Sequence, residues 1–185
     1  MKLSLIISLF ICLNSTSYSQ DLINKSDSLF IDSVNNLNLN NKKLILFENK
    51  YNEAIDKFNL GELNNAISLL DECLKLDSSS ANSYFFLSKC YYGLDLKFKF
   101  LYNIKKALFF DSLNVLYISE IGNYYRSVSK NDSANFYFNK ITENFPNFSD
   151  VFYWKSLIDI KDEDYTSALD NINKAINIEE KDYFF

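Results

Sequence analysis

Small and apolar side chains recur every 34 residues along this chain, and that period constrains the fold more than any other feature of the sequence. Ala66, Phe100, Ala134 and Ala168 form one series, and Leu70, Ile104, Phe138 and Ile172 a second. Cys73, Ala107, Ile141 and Ala175 form a third. A fourth, Ala54, Ser88, Gly122 and Ser156, is small throughout. Within each unit the apolar residues fall three or four apart rather than alternating, which predicts helices. Ala66, Ile67, Leu69, Leu70, Cys73, Leu74 and Leu76 make one broad apolar face, and Ala134, Phe138 and Ile141 make the same face two units later. One helix pair cannot bury such a face alone, whereas stacked pairs can. With 3 glycines and 1 proline, the chain has poor material for a turn-rich β-fold or a phosphate-cradling loop. Gly61 suits a helix end, where positive φ is cheap for glycine. Asn114, Asn131 and Asn147 stand just before helical runs and are predicted to cap them.

The pattern resembles the tetratricopeptide repeat family. Leu60-Gly61-Glu62-Leu63-Asn64-Asn65-Ala66-Ile67 looks like that family's inter-helix turn and second-helix entry, and Glu163-Asp164-Tyr165-Thr166-Ser167-Ala168-Leu169 repeats the phrase. The resemblance implies an all-α, right-handed solenoid of αα-hairpins, with small residues at positions 8, 20 and 27 and a large apolar residue at 24. Four units are expected, at 47–80, 81–114, 115–148 and 149–180. Pro146 falls at position 32 of the third, where the family often has proline; Ser78 and Ser112 stand there in the first two. Other departures are expected to matter. Phe100 is bulky at position 20, so packing in the second unit should open or shift. Ile141 is large at position 27. Lys50, Glu53 and Lys57 interrupt the first helix of unit one, and Lys155 and Asp159 that of unit four, where a one-residue register slip is expected.

Residues 1–19 read as a signal peptide: Lys2, a mostly apolar stretch from Leu3 to Leu13, then small residues Ser17 and Ser19 before Gln20. The apolar stretch is short of the roughly 20 residues a spanning helix needs. Export to the periplasm or envelope, without stable membrane insertion after cleavage, is the expectation. Lipidation at Cys12 is the lesser alternative, because Ile11 is bulky before it. Loss of Lys2 takes the formal charge from −5 to −6. Cys73 and Cys90 are expected to be buried thiols rather than a disulfide, although an exporting compartment permits either. Residues 20–46 are expected to hold a capping helix reaching Leu37 and a polar linker from Asn35 to Lys43. The aromatic tail 181–185, with Tyr183, Phe184 and Phe185, is expected to fold back on Leu169, Ile172 and Ile176; self-association through an uncapped last repeat is the alternative.

Several chemistries are excluded. A chain without histidine has no Ser-His-Asp triad, Cys-His dyad or His-ligated metal. A net charge of −5 argues against nucleic-acid binding. Asp162-Glu163-Asp164 and Glu179-Glu180 lack the glycine and alternating ligands of a calcium loop, and nothing fixes two carboxylates at the separation glycoside hydrolysis needs. No enzyme, cofactor or metal site is expected. The resemblance instead places function on the first helix of each unit, which in the family forms a concave groove at positions 2, 5, 9, 12 and 13. Here those positions bring Tyr51, Ile55 and Phe58; Asn82, Phe85, Lys89 and Tyr92; Ser119, Asn123 and Arg126; and Tyr153, Leu157 and Lys161. Rings supply area at low entropic cost, while amides and cations fix backbone or carboxylate groups of an extended peptide. The family's two-carboxylate clamp is not expected, because Tyr51 and Ile55 replace its first lysine and asparagine. A protein- or peptide-binding envelope scaffold is the expected function. An envelope glycan-binding protein, with Tyr51, Phe58, Phe85, Tyr92 and Tyr153 as stacking platforms, is the alternative.

Overall fold

The computed structural model describes Lys25, Ser33 and residues 35–182, with side chains to Glu180; the expected signal peptide, the start of the expected capping helix at residues 26–31 and residues 183–185 of the aromatic tail lie outside the described residues. The chain divides into two compact units, Met1–Glu48 and Asn49–Phe185. In the first, residues 35–48 are helical and almost wholly exposed. The expected linker over 35–43 is therefore helix; Leu37, Leu39, Lys42 and Lys43 favour helix more than the asparagines between them oppose it.

The second unit is a succession of helices: α1 (49–59), α2 (Leu63–Leu76), α3 (Ala81–Gly93), α4 (Lys97–Phe110), α5 (Val115–Ser127), α6 (Asn131–Asn144), α7 (Ser149–Lys161) and α8 (Tyr165–Asp182). Helices α3, α5 and α7 begin 34 residues apart, and so do α2, α4, α6 and α8. No strand occurs among the described residues.

The turn inside each hairpin is built the same way. Gly61 N–H donates to Phe58 O at 3.0 Å while Glu62 N–H reaches back to Lys57 O at 2.9 Å. The same pair of bonds recurs at Asp95/Leu96, Ser129/Lys130 and Glu163/Asp164. These are Schellman caps, which satisfy two orphan carbonyls by putting one residue in the left-handed region. That residue is Gly61 (φ 76°), Asp95 (56°), Ser129 (59°) or Glu163 (62°). Left-handed backbone costs a side-chain-bearing residue roughly 1–2 kcal/mol, partly offset when glycine replaces it because the unfolded chain gains freedom. Glu163→Gly is accordingly expected to stabilise by about 0.5–1 kcal/mol. Gly61→Ala, which meets no atom within 4 Å, should cost about 1 kcal/mol through backbone strain alone. Urea midpoints moving in the same direction for both variants would contradict this.

Capping differs from expectation at two of three asparagines. Asn114 Oδ1 accepts from Leu116 N at 3.1 Å, and Ser80 does the same for Ser83 N at 3.2 Å. Asn131 is already inside α6, behind Lys130, and its Nδ2 donates to Asp162 Oδ1 at 2.7 Å. Asn147 stands one residue too early, because Phe148 occupies the cap of α7 without a side-chain bond. Each of these asparagines is one residue out of step with its cap, Asn131 a residue late and Asn147 a residue early.

The core is a chain of three-helix clusters, each uniting one hairpin with the first helix of the next. Ala54, Ala66, Leu70, Leu87 and Cys90 join α1, α2 and α3. Phe85, Phe100, Ile104, Ala107, Tyr117 and Ile121 join α3, α4 and α5. Ile118, Ala134, Phe138, Ile141, Val151 and Ile158 join α5, α6 and α7. A fully buried Leu70 or Ile104 contributes about 1.5–3 kcal/mol relative to exposure. The small series explains the nesting: Ala54, Ser88 and Ser156 are fully buried where helices touch. Leu169 and Ile176 of α8 occupy places whose counterparts Ile67, Leu101, Leu74 and Leu108 are half-buried against a following helix, yet they are 59% and 47% exposed.

The expected slip in the fourth hairpin does not occur, because its polar insertions find partners. Lys155 Nζ donates to Asn139 Oδ1 at 2.8 Å, and Asn171 Nδ2 to Asp159 Oδ2 at 2.8 Å. Burial pulls the Lys155 ammonium below the usual lysine range. In the first hairpin Lys50 pairs with Glu72, and Lys57 with Glu62 at 2.9 Å. Cys73 and Cys90 are buried, reduced thiols; burial raises both, Cys90 to about 11, which makes them poor nucleophiles.

Candidate functional site

The first helices α1, α3, α5 and α7 carry every residue singled out for binding, and the structure treats those residues unequally. Tyr51 and Phe58 are half-buried and lean edge-on against Phe86, at 6.0 and 5.5 Å between centroids. Burial pushes the Tyr51 hydroxyl up to about 12. Phe85 is 8% exposed and stacked on Tyr117 at 5.1 Å, so its ring belongs to the interior of the α3–α5 contact. Tyr92 and Tyr153 are 54% and 53% exposed and present ring surface to solvent. Ile55 and Leu157 are half-buried, and Ser119 is buried, its hydroxyl donating to Leu116 O at 2.9 Å.

The polar members are sorted by their partners. Lys89 is neutralised by Glu120, Nζ to Oε1 2.8 Å. Lys161 donates to the Ser129 hydroxyl. Asn82 Oδ1 accepts from the buried Tyr117 hydroxyl at 2.7 Å, tying α3 to α5. Arg126 stands apart: its Nε and Nη2 both reach Asn123 Oδ1 at 3.2 Å, and no ion pair engages it among the described residues. A neutral amide orients the guanidinium without cancelling its charge. The fork keeps its remaining donors for a carboxylate, which guanidinium geometry matches in two places.

Glu120 and Tyr117 escaped sequence reasoning, although a signal existed. Lys89–Glu120 and Asn82–Tyr117, on α3 and α5, span 31 and 35 residues, within one helical turn of the period. Residues on like helices of successive repeats meet at the period plus or minus one turn, so such offsets can be searched directly. Among the described residues, no group of three or more His, Cys, Asp or Glu side chains could hold a metal ion, and no helix is long and apolar enough to cross a membrane.

No family model matches the chain, and no curated protein sequence matches it. Solved structures do. A MamA crystal structure superposes with a TM-score of 0.68 at 22% identity, covering 75% of this chain and 81% of that one. PilF of Pseudomonas aeruginosa gives 0.64 at 17% identity, over 75% of this chain and 63% of PilF. A tetratricopeptide repeat protein from Parabacteroides merdae gives 0.63 at 18% identity, over 74% of this chain and 54% of the other. At these identities the likeness establishes the fold: tetratricopeptide-like helical repeats in an αα-hairpin solenoid.

Proposed function

We propose that this chain is a non-enzymatic scaffold of the bacterial envelope that holds an extended, carboxylate-bearing segment of a partner protein along its first helices. The observation that carries this reading is Arg126, oriented by Asn123 and engaged in no ion pair among the described residues, on a face where Lys89 already has Glu120. Tyr92 and Tyr153 flank it along the succession of repeats with exposed rings, as an extended ligand requires. Likeness to repeat proteins of known structure is consistent with a binding role, and the N-terminal sequence pattern supports export. Tyr51, Phe58 and Phe85 act mainly as the packed wall behind this face.

The test is isothermal titration of an array of acidic 12-residue peptides, with glutamine-for-glutamate versions as controls. A charge-assisted bond contributes roughly 1.5–3 kcal/mol, so Arg126→Glu should weaken the best acidic peptide about ten- to a hundred-fold. Arg126→Lys should retain part of the affinity. Binding of soluble glycan oligomers that survives Arg126→Glu but disappears in Tyr92→Ala, with no peptide bound, would overturn the peptide reading in favour of glycan recognition.

A further inference from the structure

Helix α4 wears its aromatic residues on the outside. At 3.6 residues per turn Phe98, Tyr102 and Phe109 fall within an arc of about 40°, opposite the buried Phe100, Ile104 and Ala107. They are 93%, 61% and 75% exposed. The same helix holds Lys97, Lys99, Lys105 and Lys106 and no acidic residue, in a protein whose net charge is −5. Lys105 and Lys106 flank the aromatic line on its two sides, their ammonium groups 5.9 Å from the Tyr125 ring and 5.8 Å from the Tyr102 ring. Neither forms an ion pair among the described residues, whereas Lys97 is 3.4 Å from Asp95. Tyr102, Lys105, Lys106 and Phe109 enclose a shallow dent of about 300 Å³.

The repeat itself does not ask for these rings. The nine residues at the matching positions of α2, α6 and α8 are Asn64, Asp132 and Thr166; Ser68, Phe136 and Asp170; and Lys75, Glu143 and Asn177. Eight are polar, so the fold is built equally well with a wetted outer line. Phe136, 67% exposed on α6, is the exception, and it extends the aromatic surface onto the adjacent outer helix. A row of rings with bare flanks in water is unfavourable unless something covers it.

We infer that the outer face of α4 is an interfacial anchor for an anionic lipid bilayer. Rings that share one arc of a single helix and stand mostly exposed can meet a plane together, although Phe98 also borders a cleft between α4 and α5 lined by Tyr124, Tyr125 and Val128. Phe98 and Phe109 can enter the acyl boundary and Tyr102 sit at headgroup level, while Lys105 and Lys106 extend sideways to lipid phosphates. Charge complementarity sets the orientation: the face is cationic on a protein that is otherwise acidic, so an anionic surface attracts α4 and repels the remainder. The anchor is built from residues of second helices and does not use Arg126, so it stands independently of the peptide reading.

The test is co-sedimentation of the full chain with 3:1 phosphatidylcholine–phosphatidylglycerol vesicles, and with phosphatidylcholine alone, at low and at 0.5 M salt. Wild type should bind the anionic vesicles at least ten-fold more tightly at low salt. Lys105→Glu with Lys106→Glu should abolish that preference, and Phe98→Ser with Phe109→Ser should remove the binding that persists in high salt. The apolar N-terminal stretch is common to all variants and carries only Lys2, so differences between variants report α4. Phe98, Lys105 and Phe109 are exposed and Lys106 is half-buried, and an unchanged circular dichroism melt confirms folding. Equal binding to both vesicle types, anionic binding untouched by either pair of substitutions, or α4-dependent capture of polyglutamate in place of vesicles would overturn the inference.

Discussion

Gly122→Leu should unfold the third hairpin at markedly lower urea concentration than wild type. A Cβ placed on Gly122 would stand 2.5 Å from Phe138 Cε1 and 2.8 Å from Cδ1, inside van der Waals contact with a ring that is itself fully buried. Phe138 cannot step aside, because Ile118, Ile141, Val151 and Ile158 surround it and the Trp154 ring lies 5.6 Å away. Overpacking a filled core costs about 1–3 kcal/mol for added methylenes. A leucine here forces α5 and α6 apart and should reach or exceed the upper end. Gly122→Ala should cost less, and Phe138→Leu should recover part of that loss in the double variant, because neighbours that share a clash are not additive. An unchanged midpoint for Gly122→Leu would mean that α5 and α6 do not touch at this glycine, and the nesting of small positions would fail with it.

That contact also shows why so much of the architecture was legible in the sequence. Gly122, Ala54, Ser88 and Ser156 are small for a steric reason that operates identically in every hairpin, so the requirement repeats in register. Helix starts follow it at Ala81, Val115 and Ser149. What was not legible has other causes. The left-handed residues at 95, 129 and 163 are chosen by backbone hydrogen bonds that any residue can make at a cost, so nothing in Asp95, Ser129 or Glu163 announces them. Lys155 and Asp159 look like a register error because their partners, Asn139 and Asn171, are themselves unremarkable surface types.

The candidate face was read with the same unevenness. Asn123 and Arg126, three apart on one helix, meet as helical spacing requires. Phe85 was placed on that face by its position number, but its ring turns inward to Tyr117, and only the path of the neighbouring helix decides this. The outer line of α4 emerges only once Phe100, Ile104 and Ala107 have fixed which side of that helix is buried. Until then its rings read as more core.

Phe100→Ala restores the small residue that Ala66, Ala134 and Ala168 provide at the matching place, yet it should destabilise the protein strongly. Phe100 is 1% exposed, and the tilted rings of Tyr92 and Tyr124 lie 5.3 and 5.1 Å from it, so the second hairpin has adapted its packing around a large side chain. Removing the ring leaves a cavity bounded by Ile104, Tyr117 and Ile121, which are held by other contacts and cannot collapse into it. Phenylalanine-to-alanine changes at such sites cost about 3–5 kcal/mol, which is a large share of the 5–15 kcal/mol that stabilises a typical domain. Phe100→Leu, which keeps most of the volume, should cost roughly a third as much. The consequence reaches the binding face, because Tyr92 rests its ring on Phe100 and loses that support. Phe100→Leu, still folded at 25 °C, should therefore weaken ligand binding as Tyr92→Ala does, though by less. A Phe100→Ala protein as stable as wild type in urea would show that position 20 tolerates alanine here as in the other three hairpins, and that Tyr92 takes its orientation from elsewhere.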